Sequence, residues 1–262
     1  MQVTQLNLYP IKSTRAYQVG QAFVLPQGLN FDREFMITEV DGTFITARKE
    51  QVLYRLSAFP IPTGVVIQYD NGEQCVALYQ DFVEQQTSEV WGTHFPSWVA
   101  HDAVNQWLSE RFGRNVQLRW IGKTSERMVQ NFEPNPLSFA DSNPLLLVSE
   151  KSLAQVQAWS PVPVAMEQFR ANVVIDGVQA FEEEGWRRIK IGDVEFEFAQ
   201  CCTRCILITR HPTTLELDPK AEPFRTLKQN HTNEKGKPIF GIHLVPKSSG
   251  AIRVGDFITI LE

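Results

Sequence analysis

Alternating apolar and polar residues around tight, glycine-bearing turns constrain this chain more than any other feature. Gly64-Val65-Val66-Ile67-Gln68-Tyr69 and Gln74-Cys75-Val76-Ala77-Leu78-Tyr79 flank Asp70-Asn71-Gly72-Glu73. The central Asn-Gly pair predicts a hairpin turn, because both residues accept positive φ. Ile189 and Ile191, then Val194, Phe196 and Phe198, alternate on either side of Gly192-Asp193 and predict a second hairpin. Phe31, Phe35 and Ile37 share one face of another run, and Ile252 to Leu261 carries a further Gly-Asp pair at 255 and 256. Short strands at this spacing predict a mainly β protein with a few helices, of the α+β class.

Two helices interrupt the pattern. From Asp102, the residues Val104, Trp107, Leu108 and Phe112 recur at helical spacing, with Gly113 placed as a C-cap. A second helix is expected from Ser149, whose hydroxyl can cap it, through Leu153 and Val156 to Ser160-Pro161. A shorter turn is expected after Pro223. The polar region from 122 to 144, with Pro134, Pro136 and Pro144, reads as the connection between two β-rich parts. That places the division at 1–121 and 122–262.

At 262 residues and 43% hydrophobic content the chain has ample material for a core. A net charge of -5 argues against a nucleic-acid surface spread over the molecule. Cysteines 75, 201, 202 and 205 are too few and too clustered for a disulfide scaffold. The chain opens on strand-like Val3 to Tyr9, which leaves no room for a signal peptide, and no apolar run is long enough to span a bilayer. A cytoplasmic location is expected. The acidic run Glu182 to Glu184 reads as a solvated turn, with docking of a basic redox partner as the functional alternative.

The residues with most chemical content are Cys202-Thr203-Arg204-Cys205. A neighbouring cation favours the thiolate, which is both a soft metal ligand and a nucleophile. Metal binding, sulfur relay, disulfide exchange and simple burial are all open to such a pair. A zinc site lacks a second ligand pair, since His211 and His231 match no zinc spacing. A thioredoxin-like pair would open a helix, whereas Ile206, Ile208 and Thr209 predict a continuing strand. Elsewhere, Lys12-Ser13 ends the first strand with an ammonium and a hydroxyl suited to a phosphate. Asp32-Arg33 reads alone as a surface ion pair. Arg170 and Asn172 are placed on one face entering the apolar strand Val173 to Ile175, where an anionic ligand or an internal network would satisfy them. Asp141-Ser142-Asn143-Pro144 reads as a turn, and His243 as opposite Phe240 on a regular strand.

Taken in order, Tyr9-Pro10-Ile11-Lys12-Ser13, Asp32-Arg33, Thr46-Ala47-Arg48-Lys49-Glu50, Phe139-Ala140-Asp141-Ser142, Phe169-Arg170-Ala171-Asn172, Ile191-Gly192-Asp193, Cys202-Thr203-Arg204-Cys205 and Val254-Gly255-Asp256 resemble the MOSC family. The resemblance is to the branch with an N-terminal β-barrel domain, which includes the mitochondrial amidoxime-reducing component and its bacterial relatives. It covers the whole chain. It implies an N-terminal β-barrel-like domain over 1–121 and a MOSC-type β-barrel over 122–262.

The resemblance further implies a molybdenum cofactor (Mo-molybdopterin) with Cys205 as the protein ligand to the metal and the catalytic cysteine. It places Lys12, Ser13, Arg33, Arg170, Asn172, Thr203, Arg204 and Cys205 at cofactor-binding positions, with Ser142 and Asn143 in the matching contact segment. Pyridoxal phosphate binding is a further association of the family. The implied reaction is two-electron reduction of small N-hydroxylated substrates, with electrons from a separate ferredoxin-, flavodoxin- or cytochrome-like protein. The rival readings are a sulfur carrier using a Cys205 persulfide and a protein that stores or delivers the cofactor. Two departures stand out. Ile208-Thr209-Arg210-His211-Pro212 replaces the relatives' Thr-Thr and acidic Asp-Pro segment, and His243 stands where the best-known relatives carry tyrosine. With four cysteines and an end at Glu262, an iron–sulfur extension is not expected.

Overall fold

The computed structural model describes residues 1–262. The chain divides into two compact units interleaved in sequence: Met1–Asn7, Gln18–Asn30 and Asn143–Glu262 form the first, Leu8–Tyr17 and Phe31–Ser142 the second. No helix is long and apolar enough to cross a membrane.

The first unit is built on an eight-stranded sheet. Its order runs Ile258–Ile260, Arg188–Ile191, Val194–Thr203, Ile239–Pro246, Leu145–Ser149, Val173–Asp176, Gln2–Leu8 and Tyr17–Val19. All determined pairings are antiparallel except Leu145–Ser149 with Val173–Asp176, which are joined through a crossover helix. The hairpin expected at Gly192-Asp193 forms with Ile191 opposite Val194, and Gly192 adopts φ +55°. The expected barrel is an open ladder rather than a closed ring. Its early and late segments are tied by a bridge from Gln2 to Phe257, with Val3 N donating to Asp256 O at 2.9 Å.

The crossover helix α2, Glu150–Trp159, starts where expected, with Ser149 Oγ accepting from Ser152 N at 3.0 Å. Its Val156 packs with Leu146, Val148, Phe169, Val174, Ile208 and Phe240 in one core. The short helix α3, Phe224–Asn230, follows Pro223 and adds Leu227 to that core.

The acidic run is not a solvated turn throughout. Glu183 is fully buried, and its Oε1 accepts from Ser152 Oγ at 2.7 Å. Burial raises its carboxyl pKa, against the opposing effect of that hydrogen bond. Glu184 is paired with His231 Nε2 at 2.8 Å. Two of the three acids therefore serve the interior of this unit.

The second unit contains a sheet ordered Phe35–Glu39, Val116–Trp120, Thr93–Val99 and Glu84–Val90, and another ordered Leu56–Ile61, Gly64–Tyr69 and Gln74–Leu78. Helix α1, Asp102–Phe112, ends on Gly113 at φ +67° as expected. The hairpin at Asn71-Gly72 forms, but only Gly72 takes positive φ. Tyr69 N bonds Glu73 O, leaving a three-residue loop with a left-handed glycine in place of the two-residue turn. Residues 121–144 carry no regular element beyond a bridge from Met128 to Pro136. They are held by Arg127, whose Nη1 donates to the carbonyls of Ser138 and Ala140.

Candidate functional site

In the first unit, the long strand Val194–Thr203 delivers the Cys-Thr-Arg-Cys segment to its end. The strand does not continue through Ile206. A single 3-10 turn, Ile206–Thr209, follows Cys205 and is closed by Ile208 N to Cys205 O at 3.3 Å and Thr209 Oγ1 to Ile206 O at 2.8 Å. The β-branched residues are overruled because Arg204 N is already committed to Pro238 O at 2.8 Å and the ladder ends there. Four residues of 3-10 helix are still not the α-helix that a thioredoxin-like pair opens.

The four cysteines are unlike one another. Cys205 and Thr203 keep access to solvent, whereas Cys202 is buried against Phe169 and Phe240. Burial raises Cys201 to about 11, with Glu184 adding to it. Burial would also raise Cys202, but the Arg204 guanidinium and His243 outweigh it and lower the thiol to about 6. Arg204 donates Nη1 to Cys202 Sγ at 2.9 Å and Nη2 to Phe169 O at 2.8 Å, while its buried Nε has no acceptor.

His243 was placed by strand period on a regular strand, which the structure does not have. Gly241 takes φ +75°, and a Cβ there would lie 2.5 Å from Val148 Cγ1 and 2.6 Å from Leu147 O. Glycine is required at that close approach. The register shifts between Cys201–Ile242 and Thr203–Ile239, so Cys202 lies opposite the excess residues.

Arg170 takes φ +57°, so strand alternation does not relate it to Asn172. Asn172 is buried, and its side chain serves backbone: Oδ1 accepts from Leu146 N at 3.2 Å and Nδ2 donates to Asn7 O at 3.1 Å. Asn143 is buried in the same unit.

In the second unit, Asp32-Arg33 is not a surface pair. Asp32 is buried, accepts from Tyr9 N at 2.8 Å and pairs with Arg33, whose guanidinium lies 4.3 Å over the Tyr9 ring. Lys12 is buried too, donating Nζ to Phe139 O at 2.7 Å and to Asp141. Burial lowers the Lys12 pKa, with Asp141 opposing and Arg127 and Arg33 reinforcing the shift. The Asp141 carboxyl, despite desolvation, is held well below the ordinary range by Lys12, Trp91 and Arg48. Arg127 was not singled out in the sequence and Arg48 entered only within a family motif, yet both act on this group. Ser142 beside it is exposed.

Asp141→Asn removes the one carboxylate facing Lys12. The expected loss of stability is nearer the roughly 1 kcal/mol of an exposed pair than the 3–5 kcal/mol of a buried one, because half of the carboxylate side chain is exposed. A depressed carboxyl contributes fully above its unfolded pKa of about 3.9 and loses that contribution as pH falls toward its folded value. Urea midpoints of parent and variant should therefore differ at pH 7 and converge in acid. A gap that widens in acid contradicts this assignment.

Nine non-glycine residues adopt positive φ, and three of them are Ser13, Arg33 and Arg170. Such conformations are uncommon and concentrate at functional positions. Three of the ten candidate site residues that the resemblance placed are therefore also among these nine.

Matched against known families, residues 1–115 correspond to the MOSC N-terminal beta barrel domain and residues 134–259 to the MOSC domain. The chain belongs to the MOSC family, in the branch that carries both domains. It is 30% identical over 280 residues to mitochondrial amidoxime reducing component 2 of Rattus norvegicus, covering 97% of this chain and 81% of that protein. It is 29% identical over 287 residues to mitochondrial amidoxime-reducing component 1 of Homo sapiens, covering 99% and 82%. A molybdenum cofactor sulfurase of Drosophila ananassae matches at 28% over 271 residues, covering 98% of this chain but 34% of the larger protein.

Proposed function

We propose that this chain holds a molybdenum cofactor with Cys205 as its protein sulfur ligand and reduces N-hydroxylated compounds with electrons from a separate redox protein. The observation that carries the proposal is the end of the strand Val194–Thr203. There a solvent-accessible thiol follows an arginine whose buried Nε lacks an acceptor within the protein. A soft sulfur donor beside an unfilled cationic donor suits a dithiolene-bound metal with an anionic tail. The relatives' names, amidoxime-reducing component and molybdenum cofactor sulfurase, support the same chemistry.

When bound, the group supplies two-electron redox chemistry at an open coordination position. Cys205 contributes the thiolate, and Arg204 a fixed cation whose Nε–H awaits an acceptor. Thr203, accessible beside them, offers a hydroxyl. Lys12, Ser13, Arg33, Arg170, Asn172, Ser142 and Asn143 are proposed as further cofactor-binding residues. The overall conversion is R–NHOH plus two electrons and two protons to R–NH2 and water.

A sulfur carrier needs an ionised and accessible thiol in one residue. Here the ionising surroundings gather on Cys202, which is buried. Protein purified from a host that makes the cofactor is expected to carry about one molybdenum and one pterin per chain, and to reduce an amidoxime with a reduced dye. Labile extra sulfur on Cys205, without metal or pterin, would establish the carrier reading instead.

A further inference from the structure

Two residues with no part in the chemistry above meet at Arg204: buried Cys202 and half-buried His243. Cys202 lies among Phe169, Ile208 and Phe240, surroundings in which a neutral thiol would suffice. Yet Arg204 Nη1 approaches its sulfur to 2.9 Å, and His243, on the neighbouring strand, favours the charged form of the same atom. The carbonyl of Thr203, 3.9 Å away, is the acceptor that a neutral Cys202 thiol would use, a longer contact than that from Arg204. His243 Nδ1 lies 3.3 Å from the carbonyl of Leu145, which can only accept, so Nδ1 carries a proton. The other ring nitrogen is then the one available to Cys202.

We propose that Cys202 and His243 form a thiolate–imidazolium pair that fixes the Arg204 guanidinium, making Cys202 a positioning residue for an anionic, phosphate-bearing pterin ligand held at Cys205. The proposal rests on the reading of Cys205 as cofactor ligand. A guanidinium is planar, so anchoring Nη1 on Cys202 and Nη2 on Phe169 O also sets the direction of Nε–H, the donor left over. Arg204 and His243 face Cys202 and both lower its thiol; facing His243, Cys202 and the Leu145 carbonyl favour the charged ring while Arg204 opposes them. Burial lowers the imidazole pKa, but the Cys202 sulfur and the Leu145 carbonyl together outweigh burial and raise it.

The test uses the purified holoprotein. The ultraviolet thiolate absorbance of the parent minus that of Cys202→Ser should rise through a step near pH 6, and His243→Phe should move that step toward the ordinary thiol value of about 8.5. On dialysis at neutral pH, Cys202→Ser, which is neutral, should lose molybdenum and pterin about tenfold or more faster than the parent, the scale of an outer-shell substitution. Cys202→Asp, which restores an anion, should recover retention. No step below pH 8, or a serine variant that retains the cofactor like the parent, overturns the proposal. If the aspartate variant fails to fold, the titrations of the parent and His243→Phe still decide. A parent with neither molybdenum nor pterin overturns the Cys205 reading, and with it the positioning role, while the titration still tests the ion pair.

Discussion

Cys205→Ser is expected to reduce turnover of an amidoxime by more than the roughly 10–100-fold that outer-shell substitutions around a metal cost. Serine keeps the size and polarity of the side chain, and the 3-10 turn after it depends on the Cys205 carbonyl rather than the sulfur. The fold should therefore survive, with an unchanged melting temperature. What changes is the donor: a soft thiolate becomes a hard, weakly acidic hydroxyl. Arg204 keeps its bonds to Cys202 and Phe169, so pterin content should fall much less than activity. Parallel measurement of turnover, melting and pterin checks this, and a serine variant with parental turnover contradicts it.

Asn172→Ala is expected to have the largest effect on stability. The carboxamide closes the end of the ladder between three strands of the first unit. Asn172 N bonds Leu146 O and Asn7 N bonds Asn172 O at 2.9 and 2.8 Å, while the side chain satisfies Leu146 N and Asn7 O. Alanine leaves that donor and that acceptor unmatched in the interior. At about 1–3 kcal/mol for each of the two unsatisfied buried groups, the loss is roughly 2–6 kcal/mol. For units of this size the melting temperature should drop by about 5–20 °C. Asn172 was selected from the sequence as a cofactor ligand, so the alternative is concrete. A variant that melts like the parent but sheds its pterin would show that the amide serves the ligand rather than the sheet.

Legibility in the sequence followed the range of the interactions involved. The turn at Gly192-Asp193 and the caps at Ser149 and Gly113 are local, and each formed where its residues placed it. The stretch Ile206–Thr209 has strand-forming side chains but became a 3-10 turn, because the preceding amide was taken by Pro238 from a distant segment. Asp32-Arg33 and Glu183 looked like surface charge, yet their partners are Tyr9 and Ser152, remote in sequence. His243 could not be placed by strand period, since a close-packed glycine two residues earlier shifts the register. Its pairing with Cys202 is visible only once the two strands are side by side. The ordered motifs identified the family, and the backbone strain at Ser13, Arg33 and Arg170 became visible only in three dimensions.

The central claim is that the Cys205 sulfur is the protein's bond to molybdenum. X-ray absorption at the molybdenum edge tests it most directly, by counting sulfur neighbours in the parent and in Cys205→Ser. The parent should show one more sulfur at the metal than the variant. Equal sulfur counts in two metal-replete proteins would contradict the claim.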